Sequence, residues 1–137
     1  MAGYSGTPLA KKLGIKDGFR VVLLDVPAEV KTEVRDSLRG CEIVKNLDTS
    51  LDFVFLFARS RAELEHKLES AAASLAPAGM LWISWPKKSS GVVTDLTEDV
   101  IREVGLRAGL VDIKVCAVTE VWSGLKFVIP VARRKKA

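Results

Sequence analysis

Soft ligands and acid–base partners are scarce in this chain. His66 is its only histidine, and its two cysteines, Cys41 and Cys116, are far apart in sequence. That poverty excludes a Cys/His metal set, a Cys–His nucleophile pair and a Ser-His-Asp triad. Each cysteine lies in or beside an apolar run, so both read as small buried hydrophobes in a reducing compartment rather than as a disulfide pair. Long apolar runs are missing too. The stretches at 53–58 and 80–85 fall far short of the roughly 20 residues a membrane span needs, and no apolar signal segment follows Met1. A soluble, cytoplasmic protein is expected. Charge asymmetry is confined to one end: of a formal net charge of +4, Arg133, Arg134, Lys135 and Lys136 supply four of the 21 basic residues, leaving 17 against 17 acidic ones in residues 1–132. A balanced body with a short basic end argues for a solubilising tail, not for nucleic-acid recognition. Finally, no glycine lies between Gly18 and Gly40.

What is present is a chain of 137 residues, 48% hydrophobic and 28% charged, with room for one core. We read residues 1–132 as a single domain and 133–137 as the basic tail. Residues 1–12 show no sustained periodicity and predict an irregular arm leading into a short helix at 9–13. The β-branched and leucine run at 19–26 has the pattern of a strand covered on both faces, which implies a parallel sheet flanked by helices. Pro27 suits a first helical position, where its missing N–H would be unpaired anyway, and Val30, Val34 and Leu38 then share one face up to Gly40.

Residues 41–44 predict a short second strand, 46–50 a turn and 52–58 a third strand. Ser60 with Glu63 forms a capping box for a helix with the stripe Leu64, Leu68, Ala71, Ala72 and Leu75, ending at Pro77 and Gly79. A fourth strand at 80–85 precedes a helix at 95–108, with Leu96, Val100 and Val104 inward and Gly109 as its stop. Residues 111–121 and 125–131 read as a hairpin joined at Ser123-Gly124, with Trp122 at the bend. The expected fold class is α/β, a three-layer sandwich with a mostly parallel sheet of about six strands and an antiparallel C-terminal hairpin.

That element order resembles the Rossmann-like S-adenosylmethionine-dependent methyltransferases. Leu13-Gly14-Ile15-Lys16-Asp17-Gly18 before the first strand, Leu75-Ala76-Pro77-Ala78-Gly79-Met80-Leu81 before the fourth and Gly105-Leu106-Arg107-Ala108-Gly109-Leu110 before the hairpin are similar to their counterparts there. At full length, Trp85-Pro86-Lys87-Lys88-Ser89-Ser90-Gly91 through Thr94-Asp95-Leu96-Thr97-Glu98-Asp99, with Trp122-Ser123-Gly124-Leu125, resembles a family of short bacterial proteins known as a domain of unknown function. The first resemblance implies a fold and a cofactor; the second brings no activity.

Departures from the methyltransferase pattern decide the expectation. Such enzymes follow strand one with an acid and alternating glycines, because only glycine lets the backbone turn tightly and approach the cofactor. Here Asp25 alone matches, while Pro27 withdraws a donor and Glu29 adds a side chain. An acid ending the second strand binds the ribose in those enzymes, and the nearest candidate is Asp48. Six strands instead of seven leave one βα unit missing from the cofactor-binding half.

Ligands of open parallel sheets sit beyond the carboxyl ends of the strands, so the candidate rim is Asp25, Asp48, Arg59, Lys87, Lys88, Ser89, Ser90 and Thr94. Lys87 and Lys88 with the nearby hydroxyls would suit a phosphate or carboxylate, whereas Asp95, Glu98 and Asp99 would repel one and complement the helix dipole instead. Trp82 and Trp85 alternate to opposite faces of their strand, and packing is assigned to all three tryptophans. His66 falls opposite the Leu64/Leu68 stripe, in solvent. The expectation is a non-catalytic binding or interaction module without a cofactor, its partner a small molecule or a protein. The alternatives are a minimal methyltransferase that binds S-adenosylmethionine around Asp25 and Asp48, and a nucleic-acid accessory protein that uses its tail. Oligomeric state has no signal in the sequence.

Overall fold

The computed structural model describes residues 8–47 and 50–134. Its axis is β3 (Leu51–Phe57), a strand with large apolar side chains on both faces. Val54 and Leu56 enter one core, Phe53, Phe55 and Phe57 the other, and each is at most 1% exposed. At about 1.5–3 kcal/mol per fully buried side chain, such a strand must lie between two layers of helix. The phenylalanine rings meet edge to face, Phe55 and Phe57 at 4.8 Å, and the series continues from Phe57 to Trp122 at 4.9 Å.

Around β3 lie β1 (Arg20–Leu24), β2 (Glu42–Ile43), β4 (Leu75–Pro86), β5 (Val111–Ala117) and β6 (Trp122–Val128). The six strands take the order β2-β1-β3-β4-β6-β5. β1 is parallel to β2 and β3, and β3 to β4, whereas β6 runs antiparallel to both β4 and β5. Helices α1 (Leu9–Leu13) and α2 (Ala28–Leu38) cover the phenylalanine face with Leu13, Val30 and Val34. Helices α3 (Arg61–Ala73) and α4 (Glu98–Arg107) cover the other with Leu64, Leu68, Ile101 and Val104. The α/β class, the number of strands and the antiparallel C-terminal pair are as the sequence predicts. Trp82 packs on the α1/α2 side and Trp85 on the α3/α4 side, and His66 is exposed.

Several boundaries differ, each for a local reason. β4 begins at Leu75, not at residue 80, because α3 closes at its C-cap Ser74. The register slips between Leu51 and Phe53, a bulge that tolerates Pro77 without a donor. There a Cβ on Gly79 would run into the carbonyl of Leu51. The hairpin does not turn at Ser123-Gly124: both lie in β6, opposite Ala117 and Cys116, and the turn is at 118–121. Gly124 serves packing instead, since a Cβ would meet Val118 Cγ2 at 2.9 Å and Trp82 Cε3 at 3.2 Å. β6 ends at Val128, before Pro130 and a 3-10 turn at Val131–Arg133.

α4 starts at Glu98, because Thr97 caps it by accepting the N–H of Val100 at 3.2 Å. Ile101, Val104 and Gly105 face inward and Val100 is only half-buried. Pro27, with ψ 151°, is the N-cap of α2 rather than its first residue. Cys41 and Cys116 are half-buried, not buried, and both are free thiols.

Candidate functional site

Asp25 leaves β1 with φ +57°, a left-handed conformation that costs a non-glycine residue roughly 1 kcal/mol and that Asp tolerates better than most. Its carboxylate accepts a hydrogen bond from Lys67, which reaches across from α3. The same ammonium donates to Glu63 Oε2 at 2.9 Å and to the carbonyl of Phe57 at 3.3 Å. Lys67 therefore ties the exits of β1 and β3 together and is itself only 18% exposed. Glu63 is held from both sides. Its N–H donates to the Ser60 hydroxyl at 3.1 Å, while its Oε1 accepts the N–H of Arg59 at 2.6 Å, so the box predicted for Ser60 closes one residue earlier. Burial pushes the Glu63 carboxyl up, but the Arg59 N–H and the Lys67 ammonium outweigh it and hold it below its ordinary range.

Arg59 and Thr94 are brought together: the Thr94 hydroxyl donates to the Arg59 carbonyl at 2.6 Å and accepts the N–H of Leu96 at 3.1 Å. The Arg59 guanidinium lies 5.2 Å from the ring centre of Trp122, a cation–π arrangement. Lys87 is fixed through its backbone, donating to Val121 O at 2.7 Å. Lys88–Ser90 forms a 3-10 turn in which the Ser90 hydroxyl donates to Lys87 O at 2.6 Å. Lys88 and Ser89 are exposed. Residues 91–97 separate this turn from α4, and Thr97, not Ser90 or Thr94, meets that helix's first amides. Asp48 lies outside the described residues.

Lys67, Glu63 and Trp122 thus join the rim, although sequence reasoning did not place them there. The Glu63–Lys67 spacing of one helical turn was a visible signal; the link to Asp25, 42 residues away, had none. A separate cavity of about 670 Å³ lies at the other end of the sheet, between the C-terminal halves of α3 and α4, lined by Leu68, Ala72, Val104, Leu110 and Arg133 among others. Among the described residues no group of three or more His, Cys, Asp or Glu could hold a metal ion, and no helix is long and apolar enough to cross a membrane.

Comparison with known proteins agrees with this architecture. Residues 10–131 match the family model described as "Protein of unknown function (DUF3052)", so the chain belongs to that family. No curated protein matches the sequence. Among solved structures, a TehB-like SAM-dependent methyltransferase from Corynebacterium glutamicum superposes with a TM-score of 0.55 at 13% identity, over 94% of this chain and 91% of that one. Magnesium protoporphyrin IX methyltransferase from Synechocystis, with bound SAH, gives 0.58 at 12% identity over 89% and 78%. A SAM-dependent methyltransferase from Aquifex aeolicus gives 0.56 at 16% identity over 88% of each chain. At these identities the likeness is one of fold.

Proposed function

We propose that this member of the family is a non-catalytic binding module, a methyltransferase-type sheet whose carboxyl-end rim is given over to a fixed ion cluster instead of a cofactor. The observation that carries this reading is Lys67, held at once by Asp25, Glu63 and the Phe57 carbonyl. A nucleoside cofactor at this turn needs bare backbone and free donors. Asp25 takes the left-handed angle a glycine would take, yet it carries a side chain that is already engaged. Val26 behind it is buried at 7% exposure, and Pro27 has no N–H to offer. These residues do not fit S-adenosylmethionine, and we derive no transfer step through it.

A second reading, a minimal methyltransferase, draws support from the strand order and from neighbours such as the Synechocystis enzyme with bound SAH. Calorimetric titration of the full-length chain with S-adenosylmethionine and its demethylated product separates the two. The module reading expects no saturable binding tighter than about 1 mM, or about −4 kcal/mol. Saturable binding, with a thermal shift reflecting about 2.7 kcal/mol of stabilisation at 100 times the dissociation constant, would overturn it.

A further inference from the structure

On the α1/α2 face of the sheet, far along the row from β3, Lys114 of β5 and Lys126 of β6 are direct partners across the antiparallel ladder. Like charges placed opposite each other repel and weaken the pairing. Neither lysine has a carboxylate within ion-pair distance among the described residues.

Helix α1 packs against this part of the sheet. Trp82, the neighbour of Lys126 on β4, donates its indole N–H to the Leu13 carbonyl at 2.8 Å, which seats the end of α1 over this row. The Lys114 ammonium donates to the Lys12 carbonyl at 3.2 Å, and the Lys12 ammonium reaches Ala117 O at 3.5 Å. Burial, then Lys114 and Lys16, push the Lys126 ammonium below its ordinary value. Beside it burial raises the Cys116 thiol, against the opposing pull of Lys12, Lys114 and Lys87.

A lysine on an edge strand guards against unwanted sheet extension, and that accounts for Lys114 on β5. It does not account for Lys126, which is half-buried on an interior strand. We propose that Lys114 and Lys126, with Lys16 just beyond the end of α1, form an anion site for a compact, multiply charged phosphate group such as a diphosphate or the phosphate-bearing end of a small molecule. Lys114 and Lys126 stand side by side on two adjacent strands, which suits a compact anion better than an extended polymer. Lysines without arginine recognise charge rather than the planar fork of a carboxylate. Trp82, the aromatic residue of this row beside Lys126, is wholly buried and offers no face on which a base could stack. The site stands apart from the carboxyl-end rim and does not rest on the reading proposed for it.

The test is calorimetric titration of the full-length protein with inorganic pyrophosphate at low ionic strength. We expect saturable binding that weakens as salt is added. K126Q and K114Q should each weaken it by about tenfold or more, while their thermal midpoints stay level or rise because a repulsion is relieved. K88Q, in the loop after β4, should bind like the parent. K114Q lies on an exposed strand, so it remains informative should K126Q misfold. Absence of saturable binding, or a K114Q/K126Q double variant that binds pyrophosphate as the parent does, would overturn the proposal. So would a short DNA duplex that binds more tightly than pyrophosphate and is lost by the same substitutions, which would make this face a track for a polymer.

Discussion

Replacing Lys67 with methionine removes the ammonium at the centre of the rim cluster while keeping most of its aliphatic stem. Three acceptors lose a donor: Asp25, Glu63 and the Phe57 carbonyl. Asp25 is 57% exposed and rehydrates, so its share is small. Glu63 is 32% exposed and keeps the Arg59 N–H. A hydrogen bond to a charged group is worth about 1.5–3 kcal/mol, and part of this is returned because methionine is buried at no desolvation cost. The net loss at pH 7 is about 1–2 kcal/mol.

The loss depends on pH in a definite sense. Burial lowers the Lys67 ammonium, but its bonds to Asp25 and Glu63 outweigh this and raise it above its ordinary 10.5. That contribution is full below the ordinary value and disappears as pH climbs through the folded one. Glu63, held below its ordinary 4.5, contributes fully above that value and loses its contribution as pH falls through the folded one. The gap between parent and K67M should therefore be level across the neutral range and shrink in acid. Urea denaturation at pH 7 and near pH 3 reads it directly. An equal gap at both pH values, or a variant more stable than the parent at pH 7, would refute the cluster as described.

Gly105→Ala opposes helix propensity to packing. The substitution would gain about 1 kcal/mol in a free helix, but its Cβ would lie 2.5 Å from Phe127 Cζ, on a ring with no exposed surface. Overpacking at about 1–3 kcal/mol wins, and urea unfolding should show a net loss; a gain would mean the α4–β6 contact is loose. Ser60→Ala removes the acceptor of the Glu63 N–H and should cost about 1 kcal/mol, while an unchanged midpoint would deny the cap any weight. Ser84 is fully buried and its hydroxyl has no partner among the described residues. Ser84→Ala should be neutral or stabilise by about 1 kcal/mol, and a clear loss of stability would reveal a partner for that oxygen.

The layers of the fold were legible because β3 states them in its residues: no arrangement other than two covering layers can bury Phe53, Val54, Phe55 and Leu56 together. The ends of elements were less so. Leu75 keeps helical spacing with Leu64, Leu68 and Ala71, and periodicity alone cannot reveal that the chain has already turned into β4 at Ser74. Gly124 follows Ser123 as a turn glycine would, yet the space it vacates is claimed by Val118 and Trp82, which are distant in sequence. At the rim, Asp25 and Arg59 follow the ends of β1 and β3, and the Thr94 hydroxyl meets the Arg59 carbonyl, positions that chain order alone suggests. Chain order could not name Lys67, because that side chain arrives from the middle of α3.

The same distinction separates the two charged regions of the molecule. A site built to receive a ligand leaves some of its polar groups without an internal partner, or holds them at a cost, until the ligand supplies what is missing. Around the carboxyl ends, Asp25 is matched by Lys67, Thr94 by the Arg59 carbonyl, Ser90 by the Lys87 carbonyl, and the Arg59 guanidinium by Trp122. In the cross-strand pair Lys114–Lys126, Lys114 reaches the Lys12 carbonyl, but neither ammonium meets a carboxylate among the described residues, and Lys16 adds a further positive charge. A like-charge pair held without a carboxylate, its Lys126 half-buried, marks the β5–β6 face as a place where a charged partner would lower the free energy of the whole.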